Sequence, residues 1–167
     1  YPMGDSFLAA VQSYRSGLPA ITIGQWLTHK LGIEFGLPAL PYDFTADKSV
    51  YTHLGIAREN AICVLYQPDK PRRCSEMIGE FISIMRMVAP ELTIYVYGSD
   101  NSLGMRDSHI VERGVIPVDE CARLYNTCLA GICISSSNPS RIPFEMMACG
   151  LPVVDIYGEN TLYDYCE

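Results

Sequence analysis

"AICVLYQPDKPRRCSEMIGEFISIMRMVAPELTIYVYGS", residues 61–99, decides the fold. It opens on a continuous apolar run, "AICVLYQ", the pattern of a strand covered on both faces. "PRRCSEMIGEFISIMRMVAP" then reads as one helix, with Pro71 at its start and Pro90 at its exit. "ELTIYVYGS" is a second buried strand. Strand, helix and strand in this order make a right-handed crossover, which sets the two strands parallel in one sheet.

The same alternation continues on either side. Downstream, "HIVERGVIP" holds a short strand, "VDECARLYNTC" a helix with Asp119 as its N-cap, "AGICISS" a strand, "RIPFEMMAC" a helix and "LPVVDIYG" the last strand. Upstream, "DSFLAAVQSYRSGLP" is a helix capped by Asp5 or Ser6 and stopped by Gly17 and Pro19. "AITIG" is a buried strand, and "QWLTHKLGIEFG" is a helix that ends at Gly36, with Trp26 read as core. "LPALPYDF" is extended, since its two prolines keep it out of a helix interior. The polar, extended stretch near Asp47 separates two runs of alternation. The expected fold class is therefore α/β, a Rossmann-like parallel sheet flanked by helices, with a boundary that divides residues 1–46 from residues 47–167.

Composition sets the outer limits. The chain has 167 residues, 49% hydrophobic and 19% charged, with a formal net charge of -7. That is globular, with enough chain for a real core and no apolar stretch long enough to cross a bilayer. A general nucleic-acid partner is not expected, because phosphate neutralisation needs a clustered basic face. Seven cysteines without regular spacing fit a reduced compartment, and Cys63, Cys133 and Cys149 sit in apolar runs as small core residues. No C-x-x-C pair is present, so neither a zinc nor a redox site is expected. His29, His53 and His109 have no acidic or cysteine partner at useful spacing and read as structural or exposed. The opening "YPMGDSF" and the closing "YDYCE" give the sequence the look of a piece of something longer.

In an open parallel sheet, ligands collect where the carboxyl ends of strands lead into helix N-termini. Three such loops occur: "YQPDKPRR", "YGSDNS" and "SSSNPSRIP". The third is a Ser/Asn/Ser turn before a helix, where Ser137, Asn138 and Ser140 could donate to an anion alongside unpaired backbone amides. The alternative is that Ser140 is only the helix cap. Glu145 stands about one turn inside this helix, before Met146, Met147, Ala148 and Cys149, which read as buried. Buried there, the carboxylate needs donors, and ribose hydroxyls are suitable ones. Exposed there, it would only complement the helix dipole. Lys70, Arg72 and Arg73 could supply positive charge to a diphosphate, or simply form a solvated basic face.

"RIPFEMMACGLPVV" resembles the end of the donor-binding motif of retaining GT-B glycosyltransferases of the family 4 type. "PYDFTADKSVY" looks like the linker before their C-terminal domain, with Asp47 at its aspartate and Tyr51 at its aromatic. "NPS", "EMMACG" and the opening "YPMGDSF…SYRSGLPAITIGQWL" are similar to the rhamnosyltransferase-like branch that includes rhamnan-synthesis proteins. The resemblance implies that residues 1–46 are a remnant of an acceptor-side Rossmann-like domain with its linker. Residues 47–167 would be a C-terminal nucleotide-sugar domain, incomplete at its end. It also implies Glu145 on the donor ribose, and Val115 and Ile116 beside the nucleobase through backbone groups. Two departures stand out. Ser137 occupies the place of the motif's first glutamate, and Tyr66-Gln67 that of its Gly-Arg, which shifts the diphosphate to Lys70, Arg72 and Arg73.

The expected activity is transfer of a sugar, with retention, from a nucleotide diphosphate donor to a glycan acceptor in surface polysaccharide synthesis. No cofactor and no metal are called for, and no catalytic side chain is assigned. Location would be cytoplasmic, at the inner face of the membrane if the missing N-terminal domain associates peripherally with it. The stretch alone would bind nucleotide weakly and turn over nothing. The alternative is a non-catalytic nucleotide-binding or assembly domain of GT-B fold.

Overall fold

The computed structural model describes residues 5–42, 45–137, 140–159 and 161. The chain divides into two compact units, residues 1–44 with 157–167, and residues 45–156. Among the described residues no helix is long and apolar enough to cross a membrane.

In the first unit, α1 (Asp5–Tyr14) precedes β1 (Ala20–Ile23), α2 (Gly24–Phe35) and β2 (Ala39–Tyr42). "LPALPYDF", expected only to be extended, contains β2, which pairs in parallel with β1. Pro41 is tolerated because a two-stranded sheet is all edge, where the missing N–H is not needed. α2 ends where Gly36 takes a left-handed φ of 61° and its N–H reaches the Gly32 carbonyl at 3.0 Å. Trp26, expected in the core, is half-buried instead, with the Lys30 ammonium 5.4 Å above its ring.

The second unit holds β3 (Ala61–Leu65), α3 (Ser75–Val88), β4 (Thr93–Tyr97), β5 (Ile110–Gly114), α4 (Val118–Thr127), β6 (Ala130–Ile132), α5 (Arg141–Ala148) and β7 (Val153–Val154). All five strands are parallel, in the order β5-β4-β3-β6-β7. The helix expected from Pro71 begins later. Pro71–Arg73 form one 3-10 turn, and Cys74, left-handed at φ 49°, separates it from α3. α4 is capped by Pro117, so Asp119 lies inside its first turn rather than at the cap.

Alternation along β3 explains the layers. Ala61, Cys63 and Leu65 pack with Tyr97, Tyr125, Met146, Cys149 and Leu151 on one face. Ile62 and Val64 pack with Ile78, Ile82, Ile94, Val96 and Ile132 on the other. Cys63, Cys133 and Cys149 are fully buried, as their apolar surroundings led us to expect. Burial pushes the Cys133 thiol up to about 11, against the pull of the neighbouring Arg73 charge, so it stays protonated. At the other end of the unit the Arg58 guanidinium donates to the carbonyls of Tyr125, Cys128 and Gly150, gathering the C-terminal ends of α4 and α5.

Candidate functional site

The strand order fixes where a ligand would go. From β3 the chain winds outward through β4 and β5, then returns to β6 on the opposite side of β3. The switch point is therefore the carboxyl edge between β3 and β6, the crevice position of an open parallel sheet. The two loops that leave this edge, residues 66–74 and 133–140, hold most of the site residues read from the sequence.

These loops are tied together. Ser136 donates to the Arg72 carbonyl from both its backbone N–H, at 2.9 Å, and its hydroxyl, at 3.2 Å. Arg73 donates from Nη1 to the Ile134 carbonyl at 3.2 Å and from Nη2 to Ser140 Oγ at 3.0 Å. Ser140 Oγ also accepts from the Ile142 N–H at 3.3 Å, which makes it the N-cap of α5. A third loop joins them where Asn101 Nδ2 donates to Asp69 Oδ2 at 3.0 Å. The loops at this edge are thus tied to one another by hydrogen bonds.

The three basic residues have different settings. Arg73 is 5% exposed, and its Nε is buried without a hydrogen-bond partner. No carboxylate lies within ion-pair distance of it among the described residues, and its guanidinium is held by the Ile134 carbonyl and the Ser140 hydroxyl at the N-terminus of α5. Arg72 is exposed, and Lys70, also exposed, donates to Gln67 Oε1 at 3.2 Å. Gln67 in turn donates to the Gly98 carbonyl at 3.4 Å.

Glu145 is 8% exposed. This removes the reading in which it is a solvated residue near a helix start, and leaves a carboxylate that must be satisfied by donors. Arg141, four residues earlier and largely exposed, donates from Nε to Glu145 Oε1 at 3.0 Å. Burial, with the Glu145 charge next, pushes the Tyr51 phenol well above the usual tyrosine range. Cys121 of α4 also feels the Glu145 charge, and its Sγ lies 3.9 Å from the Ile116 carbonyl. Met146 and Cys149 are buried as expected, but Met147 is 43% exposed, because it falls on the outer face of α5.

Of the residues assigned to the nucleobase, Val115 is exposed and its N–H donates to Asp100 Oδ1 at 3.1 Å, while Ile116 packs partly buried against the first core cluster. Ser137 is half-buried. Asn138 lies outside the described residues. Sequence reading places Tyr51 in a linker and does not bring it to Tyr125, on which its ring stacks with centroids 6.0 Å apart. No local pattern announces such a contact. The Arg141–Glu145 pair is in principle readable from its i,i+4 spacing.

A relative, the O-antigen biosynthesis protein RfbC of Myxococcus xanthus, is 25% identical to this chain over 160 residues, which cover 90% of the chain but 12% of the relative. Residues 60–167 match the family described as WsaF, C-terminal domain. That match takes in the whole five-stranded sheet and all three loops at its carboxyl edge. The chain therefore belongs to the WsaF C-terminal domain family, a glycosyltransferase-like family of GT-B fold.

Proposed function

We propose that this protein binds the nucleoside diphosphate of an activated sugar at the carboxyl edge between β3 and β6. In this reading it serves sugar transfer, with retention, to a glycan acceptor in cytoplasmic assembly of an O-antigen-like surface polysaccharide. The relative's name supplies the polysaccharide context. The observation that carries the proposal is the pairing of opposite buried charges about one helical turn apart. A buried Arg73, with no carboxylate in ion-pair distance among the described residues, donates to the Ser140 cap of α5, and a buried Glu145 lies about one turn along that helix.

Physically the two ends suit the two parts of a nucleotide. The amide-rich start of α5, with the Arg73 charge beneath it and exposed Arg72 and Lys70 nearby, is positive and favours a diphosphate. As the sugar leaves, the growing negative charge on that diphosphate would be stabilised by the same fixed groups, with no metal assigned to the step. Glu145 would accept from the sugar hydroxyls of the nucleoside. The resemblance to family 4 enzymes and their rhamnosyltransferase-like branch supports retention without naming the sugar.

The test is calorimetric titration with ADP, CDP, GDP, UDP and dTDP. At least one is expected to bind, and Glu145→Ala to weaken it about tenfold or more, the loss of one to two charge-assisted hydrogen bonds. Absence of binding by all five would overturn the reading. A non-catalytic assembly domain is the second reading, and one observation favours it. Gln67, standing where the resembled family has arginine, spends its side chain on Gly98 and Lys70. Binding that is unaffected by Glu145→Ala would fit that case better.

A further inference from the structure

We propose that Arg73 is a positioning residue: its guanidinium staples the two ends of the 134–140 loop and thereby sets the start of α5, without touching the nucleotide itself. This rests on the reading that the diphosphate lies at the carboxyl edge between β3 and β6. In that reading the groups that hold the anion stand at the start of α5, and their placement depends on the loop that leads into it. Arg73 Nη1 donates to the carbonyl of Ile134, just past β6, at 3.2 Å, and Nη2 donates to Ser140 Oγ, the cap of α5, at 3.0 Å. A planar fork with two donors fixes the spacing of the two acceptors it holds, which a single ammonium does not.

The setting is that of a residue turned inward. Arg73 is buried, Nη1 also reaches Cys133 Sγ at 3.5 Å, and Nε is buried as well, so the guanidinium is spent within the protein. Its backbone is fixed too. The Arg73 N–H donates to the Lys70 carbonyl at 2.8 Å in the 3-10 turn, and Ser136 holds the Arg72 carbonyl through both its N–H and its hydroxyl. These two links run in opposite directions between the same loops, so the guanidinium is in place before any ligand arrives. For stability alone arginine is a poor choice here, because a buried cation with an unmet Nε donor is costly where an apolar side chain of similar size could pack. Such a local cost is typical of functional positions. Exposed Arg72 and Lys70, beside it in the chain, remain as the cations that can reach a diphosphate.

The experiment is calorimetric titration of the full chain with the tightest binder among the five nucleoside diphosphates and with its monophosphate. Arg73→Lys keeps the charge and removes the fork. It is expected to raise Kd about tenfold for the diphosphate and less than about threefold for the monophosphate, which brings less charge to the loop. An equal loss for both would mark a merely structural role and overturn the proposal, as would an unchanged Kd for both. Ser140→Ala opens the other end of the staple and is expected to weaken the diphosphate about threefold or more. In the double variant the loss should match that of Arg73→Lys to within about twofold, since both changes open the same staple. Losses that multiply would place Arg73 on the nucleotide itself and overturn the positioning role. Should Arg73→Lys not fold, the same pair of nucleotides on Ser140→Ala decides: a larger loss for the diphosphate supports the proposal, and an equal loss or none overturns it. If Glu145→Ala weakens binding and neither Arg73→Lys nor Ser140→Ala does, only the role of Arg73 falls. If none of the nucleotides binds the unaltered chain, the site reading falls and this proposal with it.

Discussion

The two parallel sheets of this molecule solve the same problem to different degrees. Every residue of β3, from Ala61 to Leu65, is buried, because helices cover both faces of the five-stranded sheet. In β1 only Thr22 is buried, and Ile21 and Ile23 are exposed across from Leu40 and Tyr42 of β2. Parallel pairing is favoured where both faces are covered. The five-stranded sheet is a finished layer, and the pair is covered on one face. The lesson concerns where side chains matter. In β3, at the centre of the five-stranded sheet, each side chain is packed on its own face, and in the pair a whole face contributes area without packing.

The hardest blow to that contrast would come from a core position. Ile82 of α3 is fully buried against the second face of the sheet. Ile82→Ala is expected to cost about 3 kcal/mol, within the range for truncating a packed isoleucine. Urea denaturation would measure it, and a cost below about 1 kcal/mol would mean that the sheet is not packed as described. A smaller effect is expected at Gly131 of β6, where an added Cβ would lie 2.5 Å from Met146 Sδ and 2.9 Å from Leu151 Cδ2. Methionine yields more readily than backbone, so Gly131→Ala should cost about 1–2 kcal/mol. It sharpens the comparison by linking packing to the site. Met146 follows Glu145 directly, and displacing α5 from β6 should also weaken nucleotide binding severalfold in the same calorimetric titration.

The contrast also explains what can be read in advance. "AICVLYQ" is legible because a strand covered on both faces must be apolar at every position. β2 is not, since proline normally argues against a strand and loses that weight only at an edge: "LPALPY" holds Pro38 beside and Pro41 within a strand that, among the described residues, has no partner on its far side. The left-handed Cys74, which ends one turn and starts α3 four residues after Lys70, is hidden for a related reason, as a non-glycine residue there gives no sign in the sequence. At the site, Glu145 and the Ser140 cap are readable because both belong to one short helix start. The different fates of Arg72 and Arg73 are not. Adjacent arginines in a 3-10 turn point in different directions, and only the fold decides that one meets Ile134 and Ser140 while the other stays exposed.

The mildest effect is expected on the open face of the pair. Ile21 is 81% exposed, so replacing it removes almost no packed surface, and threonine keeps the branched Cβ that suits a strand. Ile21→Thr should therefore shift stability by less than about 0.5 kcal/mol, the range of surface substitutions away from caps and buried groups. The measurement is the same urea titration used for Ile82→Ala, read by a backbone signal. A loss of about 2 kcal/mol or more, the scale of a packed core side chain, would show that this face is covered in solution. The two sheets would then differ in what covers them rather than in how completely they are built.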